Sequence, residues 1–183
     1  MLEAWRWSLR VAGTFDTKEV VMRILIVGNG GREHALAWKI HRSPLCDVLY
    51  ATRPNAGMCE LCEPVDIDVS DVGGLVEFAI RERIDLTVVG PELPLTLGIV
   101  DRFSANGLAA FGPSRSAARL EGSKAWSKAV MQRAGIPTAA SGTFDEPEAA
   151  KRWVASFDGP VVVKADGLAA GKGVVMCEST EDA

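Results

Sequence analysis

The 183-residue chain contains only two histidines, one tyrosine and four cysteines, and no apolar run approaching the about 20 residues that cross a bilayer. A spanning helix is therefore excluded within it, and no membrane partner is expected. Cys46, Cys59, Cys62 and Cys177 are too few for a disulfide framework in a chain of this size and fit a reducing, cytoplasmic compartment. Cys59-Glu60-Leu61-Cys62 has CxxC spacing, but no second pair and no nearby histidine completes a zinc set, so no metal ligands are assigned. A strong excess of one charge is also missing. Twenty basic against 24 acidic residues give a formal net charge of -4, which argues against an extended nucleic-acid surface. The first 21 residues lack a signal peptide's apolar stretch because Arg6 and Arg10 interrupt it.

What the chain has in quantity is glycine, 18 residues, placed where loops would meet phosphate. Val161-Val162-Val163-Lys164-Ala165-Asp166-Gly167-Leu168-Ala169-Ala170-Gly171-Lys172-Gly173-Val174-Val175 sets a basic glycine loop between two β-branched runs. Gly167, Gly171 and Gly173 free backbone N–H groups to turn toward an anion, and Lys164 and Lys172 add charge at both ends. The spacing misses the P-loop, which needs four residues between its glycines and a hydroxyl after its lysine. A flap closing over a nucleotide is expected; a plain glycine turn is the alternative.

Residues 1–21 read as an extension, in which the alternation Trp5-Arg6-Trp7-Ser8-Leu9-Arg10-Val11 has the period of a half-buried strand. From Met22 the chain alternates strands and helices. Strands are expected at 23–27, 47–51, 65–67, 86–89 and 109–111. Helices are expected at 33–41, from a cap at Ser70 or Asp71 to about 83, and at 97–106. This spacing implies an α/β fold with a parallel sheet covered on both faces. A second unit begins near Ser123, with a helix over 124–134, a helix whose capping box is Asp145 with Glu148, and the glycine hairpin. Ser179-Thr180-Glu181-Asp182 announces a further helix at the very end of the sequence. The expected division is 1–21, 22–122 and 123–183.

Gly28-Asn29-Gly30-Gly31 lies between the first strand and first helix, the place for a phosphate at a helix N-terminus. A dinucleotide fingerprint fails here twice. Glu33 stands where the third glycine belongs, and the second strand ends in Ala51-Thr52-Arg53 with no carboxylate for a ribose. A ligand with one phosphate fits better. In an open sheet, ligands bind outside the carboxyl ends of strands, so the Gly28 loop, Asn55-Ala56-Gly57 and Gly90-Pro91-Glu92 should share one crevice. Glu92 would be its negative group, suited to an amine or a ribose hydroxyl. His34 is a candidate for catalysis or for simple packing.

Taken together, residues 23–39, Asn55-Ala56-Gly57, Ile84 to Glu92, Phe111-Gly112-Pro113, Leu120 to Lys124 and Lys164 to Gly173 resemble the phosphoribosylamine–glycine ligase family of the ATP-grasp superfamily. The resemblance runs in order from Met22 to the last residues and covers only the family's N-terminal part. It implies a Rossmann-like pre-ATP-grasp domain followed by the incomplete start of an ATP-grasp domain. It also implies an activity in purine biosynthesis: ATP phosphorylates glycine, and the amine of 5-phosphoribosylamine attacks the acyl phosphate to give glycinamide ribonucleotide, ADP and phosphate. Phosphoribosylamine would occupy the crevice. Lys124, Lys164, Gly167, Gly171, Lys172 and Gly173 would serve ATP, while the ligands for Mg²⁺ are expected in a part not present here. The family's Pro-Gly-Asn-Ala-Gly loop reads Arg53-Pro54-Asn55-Ala56-Gly57 in this chain, and Pro54 removes a backbone donor.

Two other classes remain open on the sequence. One is a substrate-binding fragment without turnover, because the metal-binding half is missing. The other is a nicotinamide-dependent oxidoreductase, against which the absent ribose carboxylate argues.

Overall fold

The structure, a computed structural model, describes residues 21–157, 159–169 and 172–183. The expected strand around Trp5 to Val11 lies outside these residues. Strand β1 (Met22–Val27) forms the middle of a five-stranded parallel sheet, with β2 (Cys46–Thr52) and β3 (Glu63–Val65) on one side and β4 (Leu86–Val89) and β5 (Ala110–Phe111) on the other. Its run of Ile24, Leu25, Ile26 and Val27 is buried throughout because both faces of the sheet are covered. Leu25 and Val27 enter one core with Leu75, Phe78, Ile99 and Phe103, while Ile24 and Ile26 enter another with Ala37, Leu49, Met58 and Cys62. The period of two sends alternate residues to opposite layers.

Helix α1 (Gly31–His41) covers the second face. Helix α2 (Val72–Arg81) covers the first, and its N-cap is Asp71, whose side chain accepts the Gly74 N–H at 2.9 Å. The helix expected over 97–106 is α4 (Ile99–Ala105), and an unexpected short helix, α3 (Glu92–Leu97), precedes it. Gly98 separates them at φ +89°, a left-handed turn with the Arg115 stem packed where a Cβ would point. A further helix, α5 (Arg115–Gly122), was not expected; Ser114 caps it by accepting the Ala117 N–H, and Leu120 is its one large apolar residue.

Helix α6 (Lys124–Arg133) matches its expectation and is followed by Gly135 at φ +65°. Helix α7 (Pro147–Val154) starts differently: Glu146 is the N-cap, with no side-chain cap, and Pro147 supplies the fixed φ of a first turn, so the Asp145 and Glu148 box is not formed. Strands β6 (Val161–Lys164) and β7 (Val174–Cys177) pair antiparallel as the expected hairpin. No helix forms at 179–182, where Ser179 Oγ donates to Asp182 Oδ2 at 2.8 Å. The hairpin leaves Val162, Val163, Val174, Val175 and Met176 exposed, the last at 73%.

The order β3-β2-β1-β4-β5 means that the chain leaves β1 in one direction and later returns to its other side at β4. The loops after β1 and β4 therefore diverge around a crevice, the place where such sheets take ligands.

Candidate functional site

The loops after β1, β2 and β4 are knitted together at that reversal point. Gly28, at φ +117°, donates its N–H to Thr52 Oγ1 at 2.7 Å, so the buried end of β2 fixes the start of the first loop. A Cβ on Gly28 would lie 2.7 Å from Pro91 Cδ, which makes glycine obligatory at this contact. Asn29 Nδ2 donates to the Arg53 carbonyl at 2.9 Å, and Asn55 Nδ2 returns a bond to the Asn29 carbonyl at 2.8 Å. The other end of Asn55 accepts the Met58 N–H at 3.1 Å and shapes the turn through exposed Ala56 and half-buried Gly57. Arg53, just before Pro54, holds φ +41° and donates to Asp66 at 2.8 Å and Asp68 at 2.7 Å. Pro54 thus sits in a loop braced by its neighbour.

On the β4 side, Arg32 Nη1 donates to the Gly90 carbonyl at 2.9 Å and to Glu92 Oε1 at 3.2 Å. The carboxyl of Glu92 is held below its usual range, first by its own N–H at the start of α3 and then by Arg32. Glu92 is therefore an ion-paired group at the mouth of the crevice, not a lone acid. A groove of about 280 Å³ opens there, lined by Arg32, Gly90, Glu92, Leu95, Pro113, Ala118 and Glu121. Arg32 is exposed on α1 and is a candidate anion contact that the glycine pattern did not single out. His34 packs on Gly57, whose Cβ would lie 2.3 Å from the ring, so here it is a packing residue.

The second set of residues gathers around the hairpin. Lys124 Nζ donates to the Gly167 carbonyl at 2.8 Å. Asp166 accepts Ser123 Oγ at 3.0 Å and the Ala125 N–H at 3.2 Å, which ties the hairpin turn to the first turn of α6. Its carboxyl is lowered, chiefly by the Ala125 N–H. Lys164 ends β6 opposite Val174 and is exposed, as is Lys172. The Gly173 carbonyl accepts the Ala165 N–H at 2.8 Å, and its missing Cβ leaves room for Ala169. Gly171 lies outside the described residues. Asp166 and Ser123 were not among the expected site residues, since their part is visible only once the hairpin folds back on α6.

Elsewhere, Cys59 is exposed while the Cys62 thiol is buried and pushed up to about 11 by desolvation first. Among the described residues no cluster of three or more His, Cys, Asp or Glu could hold a metal ion. No helix among them is long and apolar enough to cross a membrane.

The family model described as "Phosphoribosylglycinamide synthetase, N domain" matches residues 22–121, and that for the "ATP-grasp (A) domain" of the same synthetase matches 122–183. The chain belongs to the phosphoribosylglycinamide synthetase family. Among curated relatives, the phosphoribosylamine–glycine ligases of Nostoc and Yersinia pestis are 49% and 52% identical over 88% of the chain, which spans 39% and 38% of their lengths. The solved phosphoribosylamine–glycine ligase of Thermotoga maritima aligns over 87% of the chain and 37% of its own, at 30% identity and a TM-score of 0.65. The biotin carboxylase domain of a 2-oxoglutarate carboxylase from Hydrogenobacter thermophilus has a TM-score of 0.71 at 18% identity, covering 90% of the chain and 39% of its own, which is a likeness of fold. Within the synthetase family, the three crevice loops fall in the N-domain match and both hairpin lysines in the ATP-grasp match.

Proposed function

We propose that this chain carries the amine-substrate crevice and the first part of the nucleotide site of an ATP-dependent ligase that joins glycine to 5-phosphoribosylamine. The observation that carries the reading is the convergence of Gly28-Asn29-Gly30-Gly31, Asn55-Ala56-Gly57 and Gly90-Pro91-Glu92 at the strand reversal. Family membership supports the same chemistry. Because the chain spans under two-fifths of the first relatives' lengths, the complete reaction is assigned to a longer protein.

In this reading the phosphate of phosphoribosylamine rests against the glycine loop and Arg32, while the Glu92 carboxylate faces its amine or ribose hydroxyls. Residues 22–122 form the substrate unit, and 123–183 begin the ATP-grasp unit. ATP transfers its γ-phosphoryl group to the glycine carboxylate, giving an acyl phosphate and ADP. The amine then attacks the acyl carbon and phosphate leaves, so an amide bond replaces the acyl–phosphate bond. Such chemistry depends on positioning and charge neutralisation. Lys124, Lys164, Lys172 and the loop from Gly167 through Gly171 to Gly173 are suited to hold the triphosphate, with Mg²⁺ bound by residues outside this set. The compartment is the cytoplasm.

A nicotinamide-dinucleotide reading is disfavoured because β2 runs out into Ala51-Thr52-Arg53, which offers no carboxylate to a ribose hydroxyl. The test is ADP release by the longer protein. It should require both glycine and phosphoribosylamine; release that ignores either substrate overturns the assignment.

A further inference from the structure

Among the described residues Glu33 is the one buried acid, 5% exposed, at the third position of α1. One carboxyl oxygen accepts the Gly30 N–H, and the position suits an acid because helix N-termini carry partial positive charge. The other oxygen faces the loop after β4. A Cβ built on Gly90 would lie 2.0 Å from Glu33 Oε1, and no atom outside the Glu33 side chain is among its three nearest contacts. A Cβ on Gly28 would likewise meet Glu33 Cγ at 2.9 Å. The same side chain thus fills the space between the first and third loops of the crevice. Its neighbour His34 fills the space against Gly57 on the second loop.

We propose that Glu33 is a positioning residue that locks the β1 loop to the β4 loop, setting the width of the crevice through Gly30 and Gly90. The ligand-affinity part of this proposal rests on the ribosyl-phosphate reading above; the locking itself does not. Glycine at 90 is then explained by a side chain 57 positions away in sequence, since β4 approaches β1 closely enough that Gly90 donates its N–H to the Val27 carbonyl at 3.1 Å. The carboxyl bonds the β1 loop and packs against the β4 loop, so their movements are one event: displacing the first removes its donor, and displacing the second uncovers a buried side chain.

The experiment combines Glu33→Gln, Glu33→Ala, Gly90→Ala and the Glu33→Ala/Gly90→Ala pair, read by amide hydrogen exchange and by titration with ribose 5-phosphate. Glu33→Ala should raise exchange in peptides covering 28–32 and 90–92 together, with 24–27 unchanged. Ribose 5-phosphate affinity should fall about tenfold, the equivalent of one lost hydrogen bond. Glu33→Gln, which retains an oxygen for the Gly30 N–H, should restore most of both. Gly90→Ala alone should mimic Glu33→Ala, whereas the pair should be no worse than Glu33→Ala because the truncated side chain leaves room for the new methyl. Exchange that rises only in 28–32, or effects that add in the pair, would overturn the proposal. If Glu33→Ala fails to fold, Gly90→Ala against Glu33→Gln decides it: equal protection of both loops in Gly90→Ala and wild type overturns the lock. A wild-type chain that ignores ribose 5-phosphate counts against the ribosyl-phosphate reading, while the exchange result still decides the role of Glu33.

Discussion

Lys124 and Gly167, 43 positions apart in sequence, are joined by a 2.8 Å hydrogen bond from the lysine ammonium to the glycine carbonyl. The bond fixes the hairpin turn over the start of α6, with Gly167 at φ +94° presenting its carbonyl to the lysine. Lys124→Met keeps the stem and removes the donor. Local opening of residues 165–169 should then become easier by about 1–2 kcal/mol, seen as faster amide exchange there and unchanged exchange in β1. Equal protection in variant and wild type would show that the bond holds nothing.

Asp166 gives the same junction a pH dependence. Its folded pKa is depressed, so its contribution is fully present above the ordinary aspartate value of about 3.9 and is lost as pH falls through the lower folded value. Protection of the Ala125 amide should decline on acidification below about pH 4. Asp166→Asn should show a weaker junction whose protection no longer follows that titration; an unchanged acid profile in Asp166→Asn would assign it to another group.

The break between α3 and α4 depends on Gly98. At φ +89° a side chain is strained, and the Arg115 Cδ lies 3.2 Å from the added Cβ. Gly98→Ala should lower stability by about 1–2 kcal/mol in urea unfolding, with no change in slope. A variant as stable as wild type would mean that the left-handed turn is not required.

Legibility of the fold followed burial. Strands β1 and β4 are mostly apolar runs, interrupted only by Arg23 and Thr87, between turn signals, and their positions and the parallel sheet were readable from the sequence. Helix α3 was not read because it is six residues long and carries Pro94 inside it, too short for a helical period to show. Helix α5 escaped notice since Leu120 is its one large apolar side chain, and that side chain is exposed. In the crevice, glycines announced themselves, but Arg32, Glu33 and Thr52 did not. Thr52 meets Gly28, Arg32 meets Gly90 and Glu92, and Glu33 packs on Gly90, each across a long stretch of sequence that periodicity does not encode. The Asp145 and Glu148 spacing misled because Pro147 sets the first turn by itself.

Lys164 stands exposed at the last pair of the β6–β7 ladder, next to the glycine turn. As a triphosphate contact it would contribute about 1.5–3 kcal/mol, the range for a hydrogen bond to a charged group. Lys164→Met in the longer protein should therefore reduce ATP affinity or turnover by about ten- to a hundredfold with the fold intact. Lys172→Met should matter less. Unchanged ATP kinetics in Lys164→Met would reduce Lys164 to a solvated strand end.

That the crevice at the strand reversal holds a ribosyl monophosphate is a proposal. Its most direct test is a backbone NMR titration of the chain with ribose 5-phosphate, a stable stand-in for phosphoribosylamine, and in parallel with a nicotinamide dinucleotide. The account predicts saturable shifts for ribose 5-phosphate concentrated at Gly28, Asn29, Gly30, Gly31, Asn55, Ala56, Gly57, Gly90 and Glu92, and none of that pattern for the dinucleotide. Shifts confined to other residues, or saturation by the dinucleotide alone, would contradict it.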